Sequence, residues 1–176
     1  MTSRDAPDPD FAKFFSESKD AILRAVMVST SDVHDAEDCV AEAFARAFSR
    51  WDVVSKHPAP EAWVMRTATN LHTDRLRRHQ RFLSHQHEFA VPEVASEPAL
   101  PFDAERINTL RSLPDRQRQV LAMRIFLGLS GPTTAIELGI SEGTVATHLH
   151  RALAALRTVL AANSPLEPNN DMGVTQ

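Results

Sequence analysis

The sequence predicts an all-helical protein of two small domains, and three observations carry that reading. Glycine is scarce, at 5 in 176 residues. Runs of β-branched residues are short, and nearly every segment with a hydrophobic period repeats at three to four residues rather than two. From Ala90 to Leu100 that period disappears, and Pro92, Pro98 and Pro101 punctuate the chain. These signals place an N-terminal helical domain over about residues 10–84, a flexible linker over 85–103 and a C-terminal domain over 104–163. Residues 164–176 hold two prolines, two asparagines and no apolar stripe, which predicts a disordered tail.

In the N-terminal domain, Val33, Ala36, Val40, Ala43, Phe44, Ala47, Phe48 and Trp51 form one helical stripe. Asp35, Glu37, Asp38, Glu42 and Arg46 therefore lie on or beside the remaining face. Residues 52–59 read as a polar loop, long enough to have a binding role of its own. The next helix is expected to start at Pro60 and to run through Trp63 into a cluster of arginines. In the C-terminal domain Ser130 can cap a helix that tolerates Pro132 in its first turn. Gly139 can take the left-handed conformation that closes it, and Ser141 can cap the following helix by accepting a hydrogen bond from the Thr144 amide. Beyond Ser141 the apolar residues Val145, Leu149, Ala152, Leu156 and Leu160 make one stripe for a core. This is the pattern of a helix-turn-helix. Its free face carries Thr144, Thr147, His148, His150 and Arg151, side chains able to donate to phosphates or base edges, and the helix N-terminus itself favours a phosphate.

A net charge of −4 looks unsuited to nucleic acid until it is mapped along the chain. Residues 66–81 hold five arginines against Asp74 alone, residues 82–103 hold acids and no Lys or Arg, and residues 105–163 hold seven arginines against four acids. Two basic segments separated by an acidic one point to two separate nucleic-acid contacts. No segment approaches the ~18 uninterrupted apolar residues of a membrane span, and the N-terminus lacks the basic-then-apolar order of an export signal, so a cytoplasmic location is expected. The one cysteine, Cys39, excludes an internal disulfide and reads as a small residue at the edge of the core. His85 with His87, and His148 with His150, are not completed by a carboxylate or thiol at metal-ligand spacing, so no metal or other cofactor is expected.

The stretch from Asp35 to Phe44, then Ala62-Trp63-Val64-Met65-Arg66 leading to Asn70-Leu71 and to Asp74-Arg75-Leu76-Arg77-Arg78, resembles the second conserved region of extracytoplasmic-function (ECF, group 4) sigma factors of the sigma-70 family. Leu113-Pro114-Asp115 through Leu121, then Gly128-Leu129-Ser130 and the helix-turn-helix, resembles their fourth region. The likeness covers about residues 10–160, in the right order and without a third region.

The resemblance implies a dissociable, non-catalytic initiation subunit of bacterial RNA polymerase that directs promoter-specific transcription. It assigns Glu37, Asp38 and Glu42 to docking on the clamp coiled coil of the largest core subunit, with the fourth region meeting the flap of the second. Charge complementarity gives the acidic face its physical sense. The resemblance gives the minus-ten element to Arg66, Asn70, Arg77 and Arg78, with Lys56 and His57 from the preceding loop, and the minus-thirty-five element to Thr144, Thr147, His148, His150 and Arg151. Asn can read a base edge, whereas arginines mostly hold phosphates. An anti-sigma protein is an expected further partner. Several positions depart from the family pattern: Ala41 stands where Gln is common, and Ala146 and His148 stand where basic residues are common. Gly131-Pro132-Thr133-Thr134 replaces a more apolar and acidic helix opening, with the Thr134 hydroxyl where an apolar residue usually packs, so that helix is expected to form but to be less firmly held. Two other readings stay open on the residues: a stand-alone helix-turn-helix regulator, and a sigma-like decoy that binds a regulatory protein.

Overall fold

The computed structural model describes residues 8–30, 32–85 and 109–162, and among these every regular element is helical. The N-terminal part comprises α1 (Pro9–Met27), α2 (Val33–Phe48), the single turn α3 (Trp51–Val54) and α4 (Pro60–His85). The C-terminal part opens on a helical end over residues 109–112, followed by α5 (Asp115–Leu121), a π turn (Ala122–Phe126), α6 (Gly131–Leu138) and α7 (Glu142–Ala162). The linker expected over 85–103 lies outside the described residues except for its first residue, which ends α4. The expected tail, 164–176, lies wholly outside them.

Local chemistry sets the helix starts. Asp8 caps α1, its Oδ1 accepting from the Asp10 amide at 2.9 Å with Pro9 in the first turn, and Asp32 caps α2 by accepting from the His34 amide at 2.8 Å. Their apolar faces then meet α4. Ile22 and Val26 of α1, Val40 and Phe44 of α2, and Val64, Met65 and Ala68 of α4 form one buried cluster. Full burial of each larger aliphatic side chain in it contributes about 1.5–3 kcal/mol. At one end of this core Phe11 and Phe14 pack against both Phe44 and Trp51, with ring centroids of Phe14 and Trp51 5.0 Å apart. Phe48, expected in the stripe, is the last residue of α2 and is 49% exposed, although its ring still meets that of Phe11 at 4.9 Å.

Residues 52–59 are less loop-like than their polarity suggests. The chain makes the short α3 and buries Val54 and Ala59, which pins the segment against the core. In the C-terminal part, Leu113 and Leu121 pack on Ala152 of α7, while Val120, Ala135 and Val145 hold α5, α6 and α7 together. Leu149 and Leu156 pack against these clusters as the sequence spacing requires, and the side chain of Leu160 lies outside the described set. The π turn joins the two parts: Ala122 and Met123, both buried, belong to the core of the N-terminal helices.

Candidate nucleic-acid interface

The helix-turn-helix is built by its caps. Ser130 Oγ accepts from the Thr133 amide at 3.1 Å, Gly139 turns at φ +64°, and Ser141 Oγ accepts from the Thr144 amide at 3.2 Å. A side chain at Gly139 would be forced into the left-handed region, so the turn angle between α6 and α7 depends on that residue. On α7, Thr147, His150 and Arg151 are exposed. Thr144 is half-buried and its hydroxyl lies 2.8 Å from Ser141 Oγ, so it serves the cap. His148 is half-buried too, with Nδ1 turned inward and without a hydrogen-bond partner among the described residues. Of the five side chains expected at the groove, three are therefore presented outright.

The second candidate surface lies along α4 and the loop before it. Lys56 is exposed, as are Arg66, Asn70, Arg77 and Arg78. Arg77 and Arg78 fold back toward Asp74, one at 3.7 Å from its carboxylate and the other donating to its backbone carbonyl at 3.2 Å, which leaves their outer faces to solvent. From Arg66 to Arg77 is about 16 Å of helix, a span of several nucleotides. The near end is different. The Ala59 amide lies 3.1 Å from His57 Nδ1, and when Nδ1 accepts that bond the ring proton sits on Nε2, which faces Glu137 Oε1 at 3.6 Å. Arg66 Nη1 donates to the Glu137 carbonyl at 2.9 Å and lies 3.5 Å from its carboxylate. Asn70 borders a cleft of about 250 Å³ shared with Met65 and Arg66 on one wall and Arg116, Gln119, Glu137 and Leu138 on the other. It also borders a second cleft of about 370 Å³ lined by Arg46, Arg50, Trp63 and Thr67.

The acidic face of α2 and the basic helix α4 are not independent surfaces. Asp35 accepts from Arg75 Nη1 at 2.7 Å and pairs with the ring of buried His72. Arg75 also reaches Glu42 at 3.6 Å and Asp38 at 3.8 Å. Burial pushes the Asp35 carboxyl up, but the hydrogen bonds from Arg75 and His72 outweigh it and hold the group below its ordinary value. Burial and the adjacent Asp35 carboxylate push the Cys39 thiol up to about 11, which fits an inert core residue and not a nucleophile. Asp38, 76% exposed, and the exposed Glu37 remain open to a partner, whereas Glu42 is half-buried and bonded to Arg46 at 2.5 Å. Among the described residues no group of His, Cys, Asp and Glu is placed to hold a metal ion, and no helix is long and apolar enough to cross a membrane.

Residues 14–82 match the family described as Sigma-70 region 2, and residues 107–156 match Sigma-70, region 4. The RNA polymerase sigma-E factor of Streptomyces coelicolor is 32% identical over 158 residues, covering 87% of each chain. The chain belongs to the sigma-70 family. Within that family it is an ECF sigma factor: the ECF RNA polymerase sigma factor SigW of Bacillus subtilis is 33% identical over 165 residues, covering 85% of this chain and 88% of the relative. The fold is that of the sigma factor RpoE of Bartonella quintana, solved in complex with the anti-sigma factor NepR, at a TM-score of 0.72 and 21% identity over 89% of this chain and 99% of that one. CnrH, solved with the cytosolic domain of CnrY, matches at a TM-score of 0.61 and 25% identity, covering 88% and 89%. As an ECF sigma factor the protein is a non-enzymatic initiation factor acting in promoter-directed transcription.

Sequence reasoning missed two features of this sigma factor. The Asp35–His72–Arg75 cluster joins residues 37 and 40 positions apart, and the contacts of Glu137 reach Arg66 at a separation of 71. Neither has a local signal.

Proposed function

We propose that this ECF sigma factor docks on core RNA polymerase through Glu37, Asp38 and Glu42 and reads a two-part promoter. Residues 10–84 form the unit that meets the core enzyme and the minus-ten element, and residues 104–163 form the unit that meets the minus-thirty-five element and the flap. Lys56, Arg77 and Arg78 hold phosphates, Asn70 reads a base edge, and Arg66 and His57 complete that surface. Thr147, His150 and Arg151 enter the major groove with His148 beside them, while Thr144 supports the N-terminus of the same helix. The chain works in the cytoplasm. The observation that carries this reading is the ordered match to regions 2 and 4, with exposed donors standing on the two elements that region resemblance assigns to DNA. The solved structural neighbour RpoE is in complex with the anti-sigma factor NepR, which supports an anti-sigma protein as a partner here as well.

The test is transcription in vitro from a pooled genomic library with core polymerase, with and without this protein. New transcripts sharing two spaced upstream motifs are expected. No new transcript, together with no co-purification with core, overturns the proposal in favour of a direct regulator.

A further inference from the structure

On α6 the ordinary distribution of residues is inverted. Ile136 is 76% exposed while the side chain of its neighbour Glu137 is 4% exposed. A carboxylate is buried this far only when it is paired, and an exposed isoleucine beside it has no packing reason of its own. Glu137 is turned inward toward the N-terminal helices, where Arg66 bonds its carbonyl and approaches its carboxylate, and His57 faces the other carboxylate oxygen. Met123 of the π turn and Leu138, the last residue of α6, pack on the same N-terminal core.

We infer that Glu137 is an intramolecular latch that holds the two parts of the chain in a closed, self-inhibited state. In this state Arg66 and His57 are engaged by a carboxylate, and Asn70 opens into a cleft walled by Arg116, Gln119 and Leu138 of the other part. The facing wall of that cleft stands over one side of Arg66 and Asn70, and the Glu137 carboxylate repels any phosphate that approaches Arg66. The Arg66 and His57 end of the minus-ten surface is therefore free for DNA only after the parts separate, and the apparent affinity of any partner that needs the open form falls by the fraction of chains that are open. The inhibitory consequence rests on the promoter-reading roles proposed above; the closure does not.

The full-length protein, labelled with a donor and acceptor dye at Ala45→Cys and Ala155→Cys, reports closure by single-molecule energy transfer, because Ala45 and Ala155 are exposed on opposite parts and Cys39 is buried. The wild type is expected to show one high-transfer population. Glu137→Lys sets a like charge beside Arg66 and should shift the closed-to-open ratio by on the order of 100-fold. Glu137→Gln, nearly isosteric, should shift it in the same direction by roughly tenfold, and serves if the lysine variant does not fold. The paired exchange Arg66→Glu with Glu137→Lys should restore closure. Both single variants should bind core polymerase more tightly by the factor that the energy-transfer populations give. A low-transfer wild type, or unchanged transfer in both variants, overturns the latch. Opening without any gain in core affinity overturns its inhibitory role. If the protein is closed but never supports transcription in any variant, the sigma reading fails while the latch stands.

Discussion

Thr134→Val is the sharpest test of how α6 is held. Thr134 is 0% exposed, and its hydroxyl has no hydrogen-bond partner among the described residues. A helical threonine often bonds the carbonyl four residues back. Here Ser130 O already accepts the Thr134 amide at 2.9 Å, and the side-chain oxygen makes no second bond to it. Burying an unpaired hydroxyl costs about 1–3 kcal/mol, and valine keeps the shape and the β-branching while removing that penalty. The gain expected is about 1–2 kcal/mol, or a rise of roughly 2–8 °C in melting temperature for a chain of this size. The assay is thermal and urea unfolding followed by circular dichroism, with Thr134→Ser as the control that keeps the hydroxyl and loses the methyl group. A valine variant less stable than the wild type would refute the reasoning, because it would mean that the hydroxyl has a partner in solution.

The remaining predictions concern α2 and α4. Asp35→Asn removes an acceptor that holds both Arg75 and His72, and should cost about 1–3 kcal/mol at neutral pH by urea unfolding. Because the fold lowers the Asp35 pKa, its contribution is complete above the ordinary carboxyl value of 3.8 and is lost as pH falls through the lower folded value. The variant's stability should therefore fall less between pH 5 and 3 than that of the wild type, on the ordinary titration range of a carboxylate. Cys39, with its thiol pushed up to about 11 and buried, should resist a maleimide at pH 8 in the native state and react once urea unfolds the chain. Replacing Asp38 and Glu42 together with Lys should abolish co-purification with core polymerase while leaving the circular dichroism spectrum unchanged; retained binding would count against docking through α2.

The elements that were legible in the sequence are those whose signals are local. Gly139 and Ser141 sit two residues apart and specify the turn by backbone conformation and cap chemistry alone, so the helix-turn-helix reads directly from the chain. Pro60 marks the start of α4 for the same reason. Side-chain periodicity placed Ala36, Val40, Ala43 and Phe44 in the core, and failed at Phe48 because the helix ends there and the ring meets Phe11 at its rim. The polarity of residues 52–59 concealed two buried anchors, since Val54 and Ala59 are too far apart to make a stripe. The π turn is equally silent: Ala122–Phe126 is an ordinary helical sequence, and it widens where Met123 is drawn into the neighbouring core. Glu137 is the strongest case. Composition puts a glutamate outside and an isoleucine inside, and only a partner 71 residues earlier reverses the order at 136 and 137.

Charge counted along the sequence and charge available at the surface are different quantities in this protein, and the difference is measurable. Residues 66–81 carry five arginines, yet Arg75 is bound to Asp35 and reaches Asp38 and Glu42, and its hydrogen bond to Asp35 raises its own pKa, so its charge is committed to holding α4 against α2. Arg78 is exposed and, among the described residues, bonds only its own helix backbone. A phosphate contact releases counterions in proportion to the charges that face DNA. Arg78→Gln should therefore make the salt dependence of promoter binding by the holoenzyme shallower by about 0.9 in log–log slope for one duplex phosphate, or about 0.7 if the contact is to a single strand. Arg75→Gln should leave that slope alone and instead lower the urea midpoint. Equal loss of slope in the two variants would show that Arg75 leaves Asp35 to meet DNA. The acidic face of α2 would then be uncovered only in the promoter complex, and docking on polymerase and grip on DNA would be coupled through that one guanidinium.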